Sequence, residues 1–278
     1  MQFWKMNGAG NDFIVINNII ERIPADKLSA AAKEACDRRY SVGADGFIVV
    51  DAARGGGDFR MEFYNSDGSV GEMCGNGARC VCRYAYENGL AGKRVRVETG
   101  AGLVTGERVS ERIWRVKMND PTVLRPHVAV EAGGETVDCA YVELGSPGSP
   151  HAVVEVKGLD TIGRASLFTV GRALRSNPAF PKGANVNFFE LTAPNEAAIL
   201  TYERGVENFT LACGTGSCST AALLAATGRA KDRVTLHNPG GDLVVEFKRS
   251  GEHVYNLRLT GPADCSAKGE LIFNNCTF

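Results

Sequence analysis

Two short stretches of the sequence are nearly alike: residues 73–80 read MCGNGARC, and residues 212–218 read ACGTGSC. Each contains C-G-x-G and is followed by a segment with helical periodicity. Their first cysteines, Cys74 and Cys213, lie half of the 278-residue chain apart. This internal echo predicts two similar domains, each with one central helix packed on strands.

The rest of the chain is rich in strand patterns. Alternating apolar segments recur along its length, bounded by Gly, Pro, Asn and Asp. Helical periodicity is confined to four segments, residues 25–36, 78–87, 161–174 and 217–227. Strands and helices do not alternate regularly, which argues against a doubly wound parallel sheet. We therefore predict an α+β fold of two pseudo-symmetric domains.

Composition excludes several functional classes. Lys and Arg total 31 and Asp and Glu total 32, so the net charge is −1 and no basic excess indicates nucleic-acid binding. The longest uncharged stretch, residues 209–228, contains glycines and many Ser and Thr, and is too polar for a membrane span. No apolar segment of the kind found in export signals follows the first residues. We expect a cytoplasmic protein that binds neither nucleic acid nor membrane.

The nine cysteines do not predict a disulfide framework or a metal site. Their number is odd, and disulfides are rare in a reducing compartment. Cys74, Cys80 and Cys82 are spaced C-x5-C-x-C, and Cys213 and Cys218 are spaced C-x4-C, so neither set has the C-x2-C of a structural zinc site. We expect no metal, and most of the cysteines to be buried small side chains.

Cys74 and Cys213 differ from the other cysteines because each directly precedes a predicted helix. The free N–H groups and dipole of a helix start stabilise a thiolate and can also hold a carboxylate. One such thiolate can remove a proton from carbon while the second thiol returns a proton on the opposite face, which inverts a stereocentre. No lysine motif or phosphate cradle indicates pyridoxal phosphate, so we expect no cofactor. The alternative is that both motifs are only tight strand–helix turns.

The chain resembles the diaminopimelate epimerase family almost from end to end. The motifs that carry the resemblance are KMNGAGNDF (5–13), GADG (43–46), YNSDG (64–68), EMCGNGARC (72–80), YERG (202–205) and LACGTGSC (211–218). The resemblance implies two domains, each a curved and mostly antiparallel sheet around a central helix, with the active site between them. It places the domains at residues 1–118, joined by a C-terminal strand within 263–278, and at residues 119–262.

The resemblance also implies site residues. Cys74 and Cys213 become the catalytic pair, acting without cofactor on LL- and meso-diaminopimelate in lysine and peptidoglycan synthesis, commonly in a homodimer. The expected substrate contacts are Asn11, Asn65, Gly75, Asn76, Ser149, Asn185, Glu203, Arg204, Gly214 and Thr215. Arg204 can grip a carboxylate with two hydrogen bonds. Adjacent strand residues point to opposite faces, so Glu203 and Arg204 can both reach the site only where a strand ends or bends.

Some interpretations remain open from the sequence. Asn11 and Asn65 each follow or begin a turn, where Asn has purely structural uses. The family usually has Asn where Ser149 stands, and commonly an acidic residue where Phe209 stands. Ser149 motivates an alternative, a racemase of the same fold acting on another amino acid such as histidine. Further alternatives are an isomerase of this fold with other catalytic residues and a non-enzymatic protein that binds metal or carries reactive thiols.

Overall fold

The computed structural model describes residues 1–71 and 74–276. The chain divides into two compact units, one formed by Met1–Val116 with Gly261–Phe278 and the other by Lys117–Thr260, termed the first unit and the second unit. Among the described residues, the longest helices have 13 residues, and none is long and apolar enough to cross a membrane.

The first unit is built mainly of strands. They are β1 (Gln2–Gly8), β2 (Asn11–Asn17), β3 (Gly46–Asp51), β4 (Phe59–Asn65), β5 (Val70–Gly71), β6 (Arg94–Thr99), β7 (Gly102–Arg108), β8 (Ile113–Lys117) and β18 (Asp264–Glu270). Its helices are α1 (Asn18–Glu21), α2 (Ala25–Cys36) and α3 (Gly75–Glu87). Neighbouring strands are antiparallel except for the parallel pairs β2–β3 and β4–β6, and β18 pairs with β1.

The sheet of the first unit surrounds α3, which contacts β1, β2, β3, β6 and β7. Nearly every residue of α3 is buried, as expected for a central helix. Helix α2 instead covers the other face with one stripe, Leu28, Ala31, Ala32 and Ala35, at the spacing of an amphipathic helix. That stripe packs against β3 and β4 in the first unit's apolar core.

The second unit contains β9 (Pro121–Ala132), β10 (Glu135–Leu144), β11 (Ser149–Glu155), β12 (Asn185–Ala193), β13 (Glu196–Glu203), β14 (Asn208–Thr210), β15 (Arg233–Asn238), β16 (Gly241–Ser250) and β17 (His253–Pro262). Its helices are α4 (Arg164–Arg175) and α5 (Gly214–Ala226). The parallel pairs are β11–β12 and β13–β15, and the other neighbours are antiparallel. Helix α5 is apolar on all sides and contacts six strands, which accounts for its burial.

The two units repeat one order of elements. In each, a strand leads through a helix to a parallel strand, then to two antiparallel strands, the buried helix and a further parallel strand. The registers also agree: Tyr64 pairs with Val70 four residues before Cys74, and Tyr202 pairs with Phe209 four residues before Cys213. The predicted α+β class and pseudo-symmetric repeat are therefore confirmed.

Helix bounds differ from the sequence prediction mainly at the N-termini. Helix α2 occupies the predicted residues, but α3 and α5 begin at Gly75 and Gly214, three residues before the predicted starts. Glycines are poor helix formers and hide the helical period, whereas packing of the buried helix overrides this low propensity. Helix α4 begins at Arg164 instead of residue 161. The short helix α1 was not predicted.

Candidate active site

Each of the two motif cysteines is the N-cap of the buried helix in its unit. Cys74 has φ −122° and ψ 119°, and Cys213 has φ −118° and ψ 113°, both in the extended region that precedes a helix. The N–H groups of a helix's first turn lack the preceding turn of carbonyl groups and carry partial positive charge. Each thiol therefore lies at a helix end that favours negative charge.

The second unit shows how a helix end contacts its thiol. The Gly216 backbone N–H donates to the Cys213 sulfur at 3.3 Å, and the Thr215 hydroxyl lies 3.4 Å from the same sulfur. Hydrogen bonds of this kind stabilise a thiolate. Cys213 is buried, whereas Cys74 is half-buried. Gly75, Asn76, Gly214 and Thr215, expected to supply backbone donors, lie in the first turns of α3 and α5.

Other thiols of the chain are in settings that suppress reactivity. Burial raises the pKa of Cys36, Cys80 and Cys139 to about 12. Burial also raises the pKa of Cys265 and Cys276, although both are partly exposed. Cys36, Cys80 and Cys139 are thus the buried small side chains that the sequence predicted. No group of His, Cys, Asp or Glu among residues 1–71 and 74–276 is arranged to hold a metal ion.

Asn11, at the start of β2, contacts the helix that carries Cys74. The Asn76 side-chain amide donates to Asn11 Oδ1 at 2.9 Å, and Arg79 donates to Asn76 Oδ1 at 2.9 Å. Asn11 Nδ2 in turn donates to Asp45 at 3.3 Å. A Cβ at Gly8 would lie 2.8 Å from the Asn76 carbonyl oxygen, so only glycine lets the β1–β2 turn approach α3 this closely.

An ionic cluster holds the same turn. Asp12 accepts two hydrogen bonds from Arg38, at 2.7 and 3.1 Å, and pairs with Lys5 at 2.7 Å. Burial favours the neutral acid, but the hydrogen bonds from Arg38 and Lys5 outweigh it and hold the pKa of Asp12 well below its usual range. Burial and the neighbouring Asp12 carboxylate raise the pKa of Asp45. The cluster fixes Asp45, which contacts Asn11.

Asn65 lies at the end of β4 in a turn. Its backbone N–H donates to the Ser69 carbonyl oxygen at 2.8 Å, and its Nδ2 donates to the Ser69 hydroxyl at 2.9 Å. Asn65 is exposed, so the turn role does not remove its amide from solvent.

In the second unit, Asn185 links the start of β11 to the end of β13. Its Oδ1 accepts the Arg204 backbone N–H at 2.8 Å, and its Nδ2 donates to the Pro150 carbonyl oxygen at 3.3 Å. Arg204 is exposed, and one of its guanidinium nitrogens donates to the Lys182 carbonyl oxygen at 2.8 Å. Asn185 thus holds the backbone of Arg204. The other guanidinium donors of Arg204 can bind an anion.

The apparent conflict between Glu203 and Arg204 is resolved by the end of the strand. Strand β13 ends at Glu203, and Arg204 is the first residue beyond it, so the alternation of side chains stops there. The Thr210 hydroxyl donates to Glu203 at 2.9 Å from the neighbouring β14. Phe209, the departure from a common acidic residue, packs edge-on against Tyr202 and the rings of Phe168 and Phe188. This aromatic cluster accounts for a phenylalanine at position 209 in place of an acidic residue.

Sequence reasoning missed a buried polar group beside Ser149. Ser149 opens β11 and is half-buried, and its hydroxyl lies 3.3 Å from Nε2 of the fully buried His151. Its ring contacts Asn187 on β12, and Asn187 accepts a hydrogen bond from Thr201 on β13, so only the strand pairing brings the set together. The sequence offers only a polar residue within each of the three strands, which does not reveal that these residues meet.

The chain matches the family model described as diaminopimelate epimerase over residues 3–124 and 145–265. It is 40% identical to the diaminopimelate epimerase of Moorella thermoacetica, over 95% of this chain and 96% of the relative. It is 38% identical to the diaminopimelate epimerase of Aquifex aeolicus, over 94% of each chain.

Solved structures share the fold at low sequence identity. A phenazine biosynthesis protein from Bacillus anthracis superposes with a TM-score of 0.77 at 14% identity, covering 98% of this chain and 99% of its own. A probable proline racemase from Agrobacterium radiobacter gives a TM-score of 0.70 at 20% identity, covering 98% and 93%. At these identities the likeness concerns the fold alone.

Proposed function

Since this chain belongs to the diaminopimelate epimerase family, we propose that it interconverts LL- and meso-diaminopimelate with Cys74 and Cys213 as the acid–base pair. Membership of the family makes the chain an isomerase, as the sequence predicted. The observation that carries the proposal is the matched N-cap geometry of the two cysteines on the buried helices of repeated units.

The proposed reaction is a proton exchange at the α-carbon of one amino-acid centre. One thiolate removes the α-proton, and the electron pair of the broken C–H bond stays on the substrate as a carbanion. The other thiol gives its proton to the opposite face of that carbon and becomes the thiolate. One proton is lost and one gained, so the product is the inverted isomer and no oxidant or cofactor is consumed.

The helix ends supply the stabilisation that the carbanion needs. Negative charge grows on the α-carboxylate as the proton leaves, and preorganised N–H donors stabilise such charge by a few kcal/mol, roughly 3–4 for one good donor. We assign this role to the first-turn donors at Gly75, Asn76, Gly214 and Thr215. General acid–base catalysis by each thiol adds roughly 10²–10⁴-fold.

The remaining polar residues of the second unit suit a distal carboxylate and ammonium group. Arg204 is exposed and held by Asn185, and Ser149 lies on the strand that Asn185 also holds. Glu203 is an acceptor suited to an ammonium group. We assign Asn11 and Asn65 as further contacts in the first unit, and propose domains at residues 1–118 with 263–278 and at 119–262. We also propose that the protein is a homodimer and that it acts in lysine and peptidoglycan synthesis.

A second candidate keeps the chemistry and changes the substrate. Ser149 occupies the position where the family usually has Asn, which favours a cofactor-independent racemase of another amino acid, histidine for example. Arg204 and Asn185 favour a substrate with a second carboxylate.

Exchange of the α-proton distinguishes these candidates. Reduced protein, without pyridoxal phosphate, is incubated in D2O with LL-diaminopimelate and separately with amino acids that have one stereocentre. Deuterium incorporation is followed by NMR and configuration by chiral chromatography. We expect exchange and inversion with diaminopimelate only. Exchange with another amino acid alone contradicts the substrate, and exchange with none contradicts the two-thiol mechanism.

A further inference from the structure

Arg79 is a fully buried arginine in the helix that begins directly after Cys74. Side chains on a helix lean toward its N-terminus, and the side chain of Arg79 reaches the first turn of α3. Its Nη2 donates to Asn76 Oδ1 at 2.9 Å, and its Nη1 donates to the Gly75 carbonyl oxygen at 3.3 Å. A positive charge therefore lies in the interior, beside the helix start that Cys74 caps.

Two arginines of α3 hold the chain segment at the end of β17. Arg79 Nε donates to the Pro262 carbonyl oxygen at 3.2 Å. Four residues farther along the helix, Arg83 Nη1 donates to the Ala263 carbonyl oxygen at 2.7 Å and pairs with Glu87 at 2.6 Å. Both arginines thus support the same segment, but Arg79 also contacts the first turn of the helix.

The guanidinium of Arg79 fixes the direction of the Asn76 side-chain amide. Arginine can only donate hydrogen bonds, so the atom of Asn76 that faces it is the oxygen. Asn76 Nδ2 is then the donor to Asn11 Oδ1 at 2.9 Å. Arg79 therefore holds a residue of the first turn in one orientation.

The strands around α3 direct their charged side chains away from the helix start. Neighbouring strand residues point to opposite faces of a sheet. Trp4, Asn11 and Met61 approach α3 from β1, β2 and β4. Their charged neighbours in the chain therefore point to the other face, where Lys5 pairs with Asp12 and Arg60 pairs with Glu62. On β7, Arg108 lies over Tyr86, toward the C-terminal end of α3.

The equivalent position of the second unit has a cysteine. Cys218 lies five residues after Cys213, as Arg79 lies five residues after Cys74, and Cys218 is fully buried in α5. The repeated helix start therefore folds without an arginine at this position. This difference indicates that Arg79 has a role particular to the unit of Cys74.

We propose that Arg79 is a positioning residue for Cys74: its buried charge stabilises the Cys74 thiolate, and its hydrogen bonds hold the helix start beside that sulfur. The inference rests on the proposed function, in which a Cys74 thiolate removes the α-proton. A nearby opposite charge favours the ionised form of an acid, and the low dielectric of the interior strengthens the effect. The units then stabilise their thiolates by different means, a buried cation in the first and contacts from Gly216 and Thr215 in the second.

The ionisation of Cys74 can be measured without any substrate. Full-length protein is prepared with Cys213→Ser, so that the second motif thiol does not titrate together with Cys74. Alkylation of Cys74 by iodoacetamide is followed as a function of pH by mass spectrometry of its peptide, because the thiolate is the form that reacts. We expect Arg79→Met to raise the midpoint of this profile by about one pH unit or more, the size usual for loss of a nearby opposite charge.

Arg83→Met is the matched control, because it removes a contact with the same chain segment and leaves the first-turn contacts in place. We expect its Cys74 midpoint to stay within about 0.3 pH unit, since the Arg83 charge is farther along the helix and is paired with Glu87. Arg79→Lys keeps a positive charge without the planar fork and should recover more than half of the shift.

Three results overturn the proposal: an unchanged midpoint in Arg79→Met, an equal shift in Arg83→Met, or no recovery in Arg79→Lys. Circular dichroism checks that each variant is folded. If Arg79→Met does not fold, Arg79→Gln replaces it, because a glutamine amide keeps a donor for Asn76 without the charge.

The pH profile of turnover tests the consequence for catalysis. In protein that retains Cys213, kcat/KM is measured from LL- and from meso-diaminopimelate, because each direction uses a different thiol as base, and its acidic limb reports the base of the free enzyme. We expect Arg79→Met to move this limb upward by about one pH unit in the direction that uses Cys74, and Arg83→Met to leave it in place. A limb that moves in neither direction contradicts the proposal. A wild-type protein inactive on diaminopimelate refutes the proposed function, while the alkylation profile still decides the role of Arg79.

Discussion

The two units have the same order of strands around a capping cysteine, but the side chains at equivalent strand positions differ. In the first unit, Phe13 and Phe63 pack edge-on beside Ile48, whereas the second unit has hydrogen-bonded polar side chains at the equivalent positions. The topology therefore fixes where each cysteine lies, while the residues on the neighbouring strands decide what each half offers to a substrate.

The difference extends to how each unit holds its polar residue at the equivalent strand start. Asn11 begins β2 and is held from the helix side by Asn76 and from a loop by Asp45. Ser149 begins β11 and contacts His151 on its own strand. Asn11 is therefore held by a donor and an acceptor from outside its strand, whereas Ser149 contacts a buried imidazole of its own strand. The two equivalent positions thus carry different polar side chains with different partners.

The largest expected effect is loss of either capping thiol. Cys74→Ser and Cys213→Ser should each lower kcat/KM for diaminopimelate by about 10³-fold or more, because a serine hydroxyl is a much weaker acid and base. Epimerisation is measured by coupled or chiral assay on reduced protein. Cys265→Ser, which changes a half-buried thiol on β18, is the matched control and should retain wild-type activity. A variant of one cysteine with near wild-type activity would show that the units do not contribute equally.

The next effect contrasts two glycines of the helix starts. A Cβ at Gly216 would lie 2.1 Å from Asn187 Oδ1, which accepts a hydrogen bond from Thr201. Gly216→Ala should therefore destabilise the protein by about 3 kcal/mol, near the upper end for overpacking. A Cβ at Gly77 would lie 3.1 Å from the flexible end of Ile48, so Gly77→Ala should change stability by less than about 1 kcal/mol. Urea unfolding of both variants checks this, and equal losses would contradict the contrast.

A smaller effect concerns acid stability. The pKa of His151 is lowered from 6.5 to about 3, so between these values the unfolded chain binds a proton that the folded chain does not. Stability is therefore lost as the pH falls below 6.5, by about 1–2 kcal/mol between pH 6.5 and 5. His151→Gln should flatten this slope in urea unfolding, whereas His253→Gln, at an exposed position, should not.

In the first unit, Asp12 affects acid stability in a lower pH range than His151 does. Because the pKa of Asp12 is held below its ordinary value of 3.8, the stability it contributes is complete above that value and is lost only as the pH falls further. An Asp12→Asn variant should leave the slope between pH 6.5 and 5 unchanged. A changed slope in that window would contradict the assignment to His151.

The smallest effect is expected at the surface of the first unit. Arg38 holds both Asp12 and Asp45 but is more than half exposed, so Arg38→Gln should lower stability by about 0.5–1 kcal/mol with little change in kcat. Arg94→Gln, at an almost fully exposed position 4.0 Å from Glu107, is the control and should be neutral. A large loss of kcat in the Arg38 variant would mean that the cluster contributes more than support of the turn.

The fold followed from the repeated C-G-x-G motif because a duplicated helix start implies a duplicated supersecondary unit. Helix α2 was predicted at its observed bounds because its apolar stripe is unbroken. The helix starts at Gly75 and Gly214 were not predicted, because glycine has a low helix propensity and tertiary packing stabilises these helices. Strand patterns alone do not reveal the parallel register that pairs His151 with Asn185. The hydrogen-bonded set of His151, Asn187 and Thr201 could not be predicted from the sequence for that reason.

In the proposed mechanism two thiols, one from each unit, exchange the proton of one carbon. Reduced wild-type protein is incubated with LL-diaminopimelate in D2O, and deuterium at the α-carbon is measured in product and in remaining substrate at early conversion. With two separate acid–base groups, the meso product should carry solvent deuterium while the remaining LL-diaminopimelate keeps its α-hydrogen. Equal deuterium in both isomers, or none in the product, would contradict the account.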